Sequence, residues 1–141
     1  MTKVVFIVAA SFAGMGLAGD FSNIALGRPY TLSRPANYKY CSDPGDNVQL
    51  TDGIHSTDKF WMQKETVGWT RTSCGAQMIT VDLGRVAPIS GFAYTLAAGA
   101  AAVTWPSAIG IYVSDNRKEW TFVGDLWARS VARTGAPKPD E

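Results

Sequence analysis

Apolar residues in this chain come in short, interrupted runs. Turn residues recur at about ten-residue intervals, and no stretch holds a helical period over three turns. The pattern predicts an all-β fold with strands over 28–33, 77–83, 89–96, 107–114 and 120–125. Two of these alternate cleanly. Ile79, Val81 and Leu83 share one face while Thr80 and Asp82 take the other, and Ile109, Ile111 and Val113 repeat the pattern, as in a sheet with one buried side. Asp115 and Asn116 supply a turn into Glu119, Trp120 and Phe122, so 107–125 is predicted to be a hairpin.

The stretch 38–72 breaks this rhythm. It is long, polar and aromatic, with turn clusters at 43–47 and 52–53, and loops of this length in a compact domain usually carry function. Residues 97–102 are small and low in complexity, and Gly99 makes them a tight crossing rather than a helix. From 128 onward the chain turns polar and reads as a frayed tail.

At the N-terminus Lys3 precedes an uncharged run that opens with Val4, Val5, Phe6, Ile7 and Val8. With Gly16 and Ala18 as small residues before Gly19, residues 1–18 read as a secretory signal peptide; a buried N-terminal strand and a lipid-anchored start are the alternatives. Gly14, Gly16 and Gly19 also spell GxGxxG, but Pro29 and Pro35 interrupt the helix that a dinucleotide site requires, so that reading fails. In an exported chain the pair Cys41 and Cys74 is expected to form a disulfide worth about 3–4 kcal/mol, the alternative being two buried thiols.

The 141 residues suit one domain, and 46% hydrophobic against 18% charged residues suits a folded one. A net charge of +1, balanced once Lys3 is removed, is too small for phosphate-backbone recognition and argues against nucleic acid. A single histidine, His55, excludes a multi-histidine metal site. No GxSxG, HExxH or P-loop is present, and Asp43, Asp46, Asp52, Asp58 and Glu65 have no apolar setting to raise a carboxyl pKa; a non-catalytic protein is expected. Sugar recognition asks for aromatic faces on loops with polar groups beside them, and Tyr38, His55, Trp61, Trp69 and Arg71 meet that requirement. For each indole a core position is the alternative, and Trp105 and Trp120 are assigned to the core.

Four segments, NIALGRPYTLS (23–33), QLTDG (49–53), ITVDLGRVAPISGF (79–92) and WPSAIGIYVSDNRKEWTFVGDL (105–126), resemble the coagulation factor 5/8 type C, or discoidin-like, domain. The resemblance spans 23–132, with 133–141 as a polar tail. It implies a galactose-binding-like jelly-roll β-sandwich that is non-catalytic, and the signal-like N-terminus adds that it is secreted. Many bacterial members of that family are carbohydrate-binding modules attached to polysaccharide-active enzymes, and others bind lipid headgroups or cell-surface proteins. It also implies a structural Ca²⁺ ion held by the Asp52 side chain with the carbonyls of Gln49 and Ile54. The plain alternative is that Asp52 and Gly53 only make a β-turn.

One departure stands out. The family closes its sandwich with one or two further strands, whereas only a polar segment follows Asp125 here. The expectation is a truncated sandwich, or an open edge covered by another chain. Two functions follow. The first is a carbohydrate-binding module that targets a polysaccharide-active protein. The second is an adhesion or membrane-surface module, for which Lys59, Phe60, Trp61, Met62 and Lys64 supply apolar and basic groups. A non-functional fragment is the residual alternative.

Overall fold

The computed structural model describes the backbone of residues 3–8, and residues 22–56, 60–70, 75–96, 98–99 and 102–137 in full. Five strands and one helix follow in order: β1 (Lys3–Val8), β2 (Tyr30–Leu32), β3 (Gln77–Val81), β4 (Ala108–Val113), β5 (Thr121–Asp125) and α1 (Leu126–Thr134). The strands form one sheet in the order β2-β3-β1-β4-β5. β1 runs parallel to both neighbours, whereas β2 pairs antiparallel with β3 and β5 antiparallel with β4.

Alternation drives β3 and β4 as expected. Gln77, Ile79 and Val81 are buried while Met78 is exposed, and Ile109 and Ile111 are buried on β4. Ile79, Val81, Ile109 and Ile111 join Tyr30 and Leu83 in the core. The hairpin also forms. Ser114 Oγ accepts the Arg117 amide at 2.8 Å, and Asn116 Oδ1 accepts the amides of Lys118 at 2.8 Å and Glu119 at 2.9 Å, so the turn is built from its own side chains. On β5 the register skips Val123, since Ile111 faces Gly124 and Tyr112 faces Phe122; this is a β-bulge.

Two expectations change, and one segment read as a leader takes part in the sheet. The segment 89–96 is no ladder strand among the described residues. Its period of two still operates: Phe92, Tyr94 and Leu96 are half-buried against the core while Ala93 and Thr95 are exposed, so it covers the sheet as a second layer. The frayed tail expected from 128 is instead α1. Asp125 caps it, accepting the amides of Trp127 at 2.9 Å and Ala128 at 3.2 Å, and the same oxygen accepts the Ile109 amide of β4 at 3.0 Å. Leu126, Trp127 and Val131 face inward, and three apolar positions are too few for a helical period to show in sequence. Finally, Lys3–Val8, within the segment read as a signal peptide, is the central strand, in keeping with the high β propensity of its valines and isoleucine. The glycines of the GxGxxG match lie outside the described residues.

Candidate functional site

Between β2 and β3 the chain leaves the sheet for its longest excursion, and hydrogen bonds tie that loop into a fixed shape. The Gly68 carbonyl accepts the amides of Asn37 and Tyr38, each at 3.1 Å, and Asn37 Oδ1 accepts the Thr70 amide at 2.9 Å. The Tyr38 carbonyl accepts the amides of Cys41 at 3.1 Å and Ser42 at 2.9 Å. Gly68 is needed here for space, since a Cβ at this position would sit 2.9 Å from Cys41 Sγ.

The next part of the loop is pinned to the sheet. Asp43 Oδ1 accepts the Gly45 amide at 2.6 Å and caps the short 3-10 turn Pro44–Asn47. The Tyr30 hydroxyl, projecting from β2, donates to the Asp46 carbonyl at 2.5 Å and accepts the Leu50 amide at 3.3 Å. Burial raises the pKa of Tyr30, and the Leu50 amide pulls it partly back. Thr51 Oγ1 donates to the Arg28 carbonyl at 2.7 Å. Thr66 Oγ1 donates to the Phe60 carbonyl at 2.6 Å and Lys64 Nζ to the Ser42 carbonyl at 3.0 Å, closing the turn Phe60–Met62 back onto the loop.

This frame carries two aromatic pairs. Tyr38 and Tyr40 meet edge-on with centroids 5.4 Å apart, and the Lys39 ammonium lies 4.8 Å from the Tyr40 centroid. Phe60 and Trp61 meet edge-on at 5.0 Å. Tyr40 is 49% exposed, while Tyr38, Phe60 and Trp61 are half-buried. Trp69, beside Gly68, packs against the core and donates its Nε1 hydrogen to the Arg34 carbonyl at 3.2 Å, so one edge of this indole is committed inward.

Of the predicted site residues, Tyr38 and Trp69 therefore share one part of the loop, held through Gly68, and Trp61 joins them through the Thr66 and Lys64 bonds. His55 is exposed and tied to Thr95, with Nδ1 and Oγ1 2.9 Å apart. Arg71 and Cys74 lie outside the described residues. The structure adds Tyr40 beside Tyr38 and sets Phe60, which the sequence offers only for a membrane surface, beside Trp61; the Tyr-Lys-Tyr triplet and the Phe-Trp doublet are the corresponding sequence signals.

Cys41 is a free thiol, 1% exposed, and its expected partner Cys74 is not described. Burial pushes the Cys41 thiol pKa up, with the Thr66 hydroxyl acting weakly in the opposite direction.

At the expected ion site, Asp52 Oδ1 accepts the Ile54 amide at 2.8 Å and Gly53 has φ +81°, which is the geometry of a turn. Among the described residues no three of His, Cys, Asp or Glu gather as metal ligands. Nearby, Gln49 Oε1 is buried without a hydrogen-bond partner, and burial raises the pKa of the Asp46 carboxyl against the hydrogen bonds it takes from the Asp43 backbone and the Ser42 side chain.

A second aromatic group lies where α1 meets the sheet. Trp105 and Trp127 stack with centroids 5.6 Å apart beside a cleft of about 330 Å³ that Tyr94, Leu96 and Ser130 also line. Trp105 was expected in the core; it is half-buried there, with an Nε1 that is buried and unpartnered. Burial alone pushes the Tyr94 phenol up to about 12. Elsewhere, Asp82 accepts the Gly84 amide at 2.9 Å and pairs with Arg117, and these two contacts, in that order, lower its carboxyl pKa.

The family model of the F5/8 type C domain matches residues 38–140, a span that begins with the first aromatic residue of the loop. The chain belongs to the F5/8 type C domain family. No curated protein and no solved structure matches the chain. F5/8 type C domains are galactose-binding-like β-sandwiches, generally non-catalytic binding modules, and typically parts of extracellular or secreted proteins. The strand-dominated structure accords with that class, and no helix among the described residues is long and apolar enough to cross a membrane.

Proposed function

We propose that this F5/8 type C domain is a secreted carbohydrate-binding module whose loop over 38–70 meets the glycan and targets a polysaccharide-active protein. The observation that carries the reading is the pair of aromatic couples, Tyr38 with Tyr40 and Phe60 with Trp61, on a loop fixed by backbone hydrogen bonds. A pyranose ring presents a flat apolar face to such rings, and a loop already ordered loses little entropy on binding. Lys39 and Asn37 supply polar groups on the same stretch, while Trp69 supports the loop from below. Binding of the full chain to a glycan array, lost on Trp61→Ala or Tyr40→Ala with the melting temperature unchanged, supports this function; unaltered binding in both variants opposes it.

The buried, unpartnered Gln49 Oε1, with the half-buried Asp46 carboxylate on the preceding turn, favours a structural Ca²⁺ beneath the same loop. A rise in melting temperature with added Ca²⁺ that Asp46→Asn abolishes is the expected sign. A membrane-surface role draws support from Met62, 55% exposed, but Lys64 is engaged with the Ser42 carbonyl. Liposome co-sedimentation lost on changing Phe60 and Met62 is the result that favours it.

A further inference from the structure

A second cleft, of about 250 Å³, opens between residues 23–28 and 83–87, and none of the aromatic pairs lines it. Both walls are fixed by short-range hydrogen bonds. On the first, Asn23 Oδ1 accepts the Ala25 amide at 3.1 Å, the Ala25 carbonyl accepts the Arg28 amide at 3.0 Å, and the Thr51 carbonyl accepts the Gly27 amide at 2.6 Å. On the second, Asp82 Oδ1 holds the Gly84 amide at 2.9 Å, and the Pro29 carbonyl accepts the Asp82 amide at 2.9 Å, which ties the walls together. Gly84 has φ +73°, and a Cβ there would come within 3.2 Å of Arg28 Nη1, so the glycine lets that guanidinium lie across the turn.

Apolar side chains and two cations share this cleft. Leu83 and Ala87 are buried beneath it, Ile24 and the exposed Leu26 form an apolar side, and Arg28 comes from one wall and Arg85 from the other. Among the described residues neither arginine is in a salt bridge. The adjoining acids are engaged elsewhere: Asp82 pairs with Arg117 and the Gly84 amide, and Asp52, on the turn that packs against Leu26, accepts the Ile54 amide. Two unpaired guanidiniums beside an apolar face complement an anion carried on a ring with a C–H face. We infer that this cleft is a binding site for an acidic sugar, its carboxylate or sulfate held by the Arg28 and Arg85 guanidiniums and its ring laid against Ile24 and Leu26. The choice of a sugar as carrier rests on the carbohydrate-binding function proposed above, whereas the choice of an anion rests on the cleft alone. A volume of about 250 Å³, below the roughly 300–1,000 Å³ of drug-sized sites, suits a single ring, so the site reads one charged unit of a polymer.

Calorimetric titration of the full chain with a galacturonate trimer and with its methyl ester, which keeps the rings and removes the charge, tests this. The acid should bind roughly tenfold or more tightly than the ester, and added salt should shrink the difference. Arg28→Gln and Arg85→Gln should each weaken binding of the acid roughly tenfold, and the double variant should bring it to the level of the ester. Both side chains are exposed, so an unchanged melting temperature certifies that each variant is folded. Arg85→Lys, which keeps the charge and loses the fork, should fall between. A sulfated trisaccharide bound with the same arginine dependence in place of the trimer identifies sulfate as the anion and upholds the site. Unchanged affinity for the acid in the folded double variant overturns the inference, as does arginine-dependent binding of phosphatidylserine vesicles but of neither sugar. The outcome is separable from that of the aromatic loop. Arginine-dependent binding of the acid that persists in Trp61→Ala upholds the cleft even where no neutral glycan binds, and its loss in folded Trp61→Ala counts against the cleft.

Discussion

Two parts of the molecule concentrate aromatic side chains, and they use them differently. Where α1 meets the sheet, Trp105 and Trp127 stack on each other and Trp127 packs against the core, so much of their surface is spent on one another and on the fold. On the loop over 38–70, the pairs Tyr38–Tyr40 and Phe60–Trp61 meet edge to face, and only Tyr40 among them is exposed, with Lys39 over its ring. Hydrogen bonds to the Gly68 carbonyl and from Thr66 and Lys64 hold that loop, whereas apolar burial and the Asp125 cap hold the helix end. An indole count does not separate a binding face from a core. Ring geometry and the source of the supporting energy do.

This contrast can be broken at several points. Trp127→Ala should cost the most, about 3–4 kcal/mol in denaturant unfolding, because it removes a half-buried indole from the core and its stacking partner from Trp105. Glycan binding by the folded fraction should be unchanged. Gly68→Ala should cost about 1–3 kcal/mol, since its methyl group collides with Cys41 Sγ, and it should weaken glycan binding too by shifting Tyr38. An effect on stability without one on binding separates the loop's shape from its function.

The Asp125→Ala change should cost about 1–2 kcal/mol by uncapping α1, with no change at the loop. The alkaline side gives a further check. Tyr94 has its pKa raised to about 12, so the neutral phenol favours the folded state. Its contribution is intact below the unfolded value near 10 and is lost as pH rises from there through 12. Tyr94→Phe should flatten this alkaline loss in a melting-temperature series. The smallest stability effect is expected at Tyr40→Ala, within about 0.5 kcal/mol, since that residue is 49% exposed.

The legible and illegible parts of the fold differ for physical reasons. β3, β4 and the turn 114–119 were readable because alternation and the Ser-Asp-Asn signal are local properties. The segment 89–96 showed its period of two but not whether a neighbour would pair with it, and pairing is a tertiary matter. α1 was hidden because its cap, Asp125, also ends β5, and its apolar face, Leu126 to Val131, spans less than two turns. At the site, composition pointed to the loop as a whole. It did not show that Trp69 turns an edge inward to Arg34 while Tyr40 faces out, because that division depends on Gly68 and on contacts far apart in sequence.

The central claim is that the loop aromatics contact a glycan and the helix-end aromatics do not. The most direct test is calorimetric titration of the strongest array ligand into the full chain and into Trp61→Ala, Tyr40→Ala and Trp127→Ala under conditions where each is folded. The account predicts an affinity loss of about 1–1.5 kcal/mol, roughly tenfold, for each loop variant and no change for Trp127→Ala. Equal affinity in both loop variants, with loss confined to Trp127→Ala, would contradict it and move the site to the cleft beside α1.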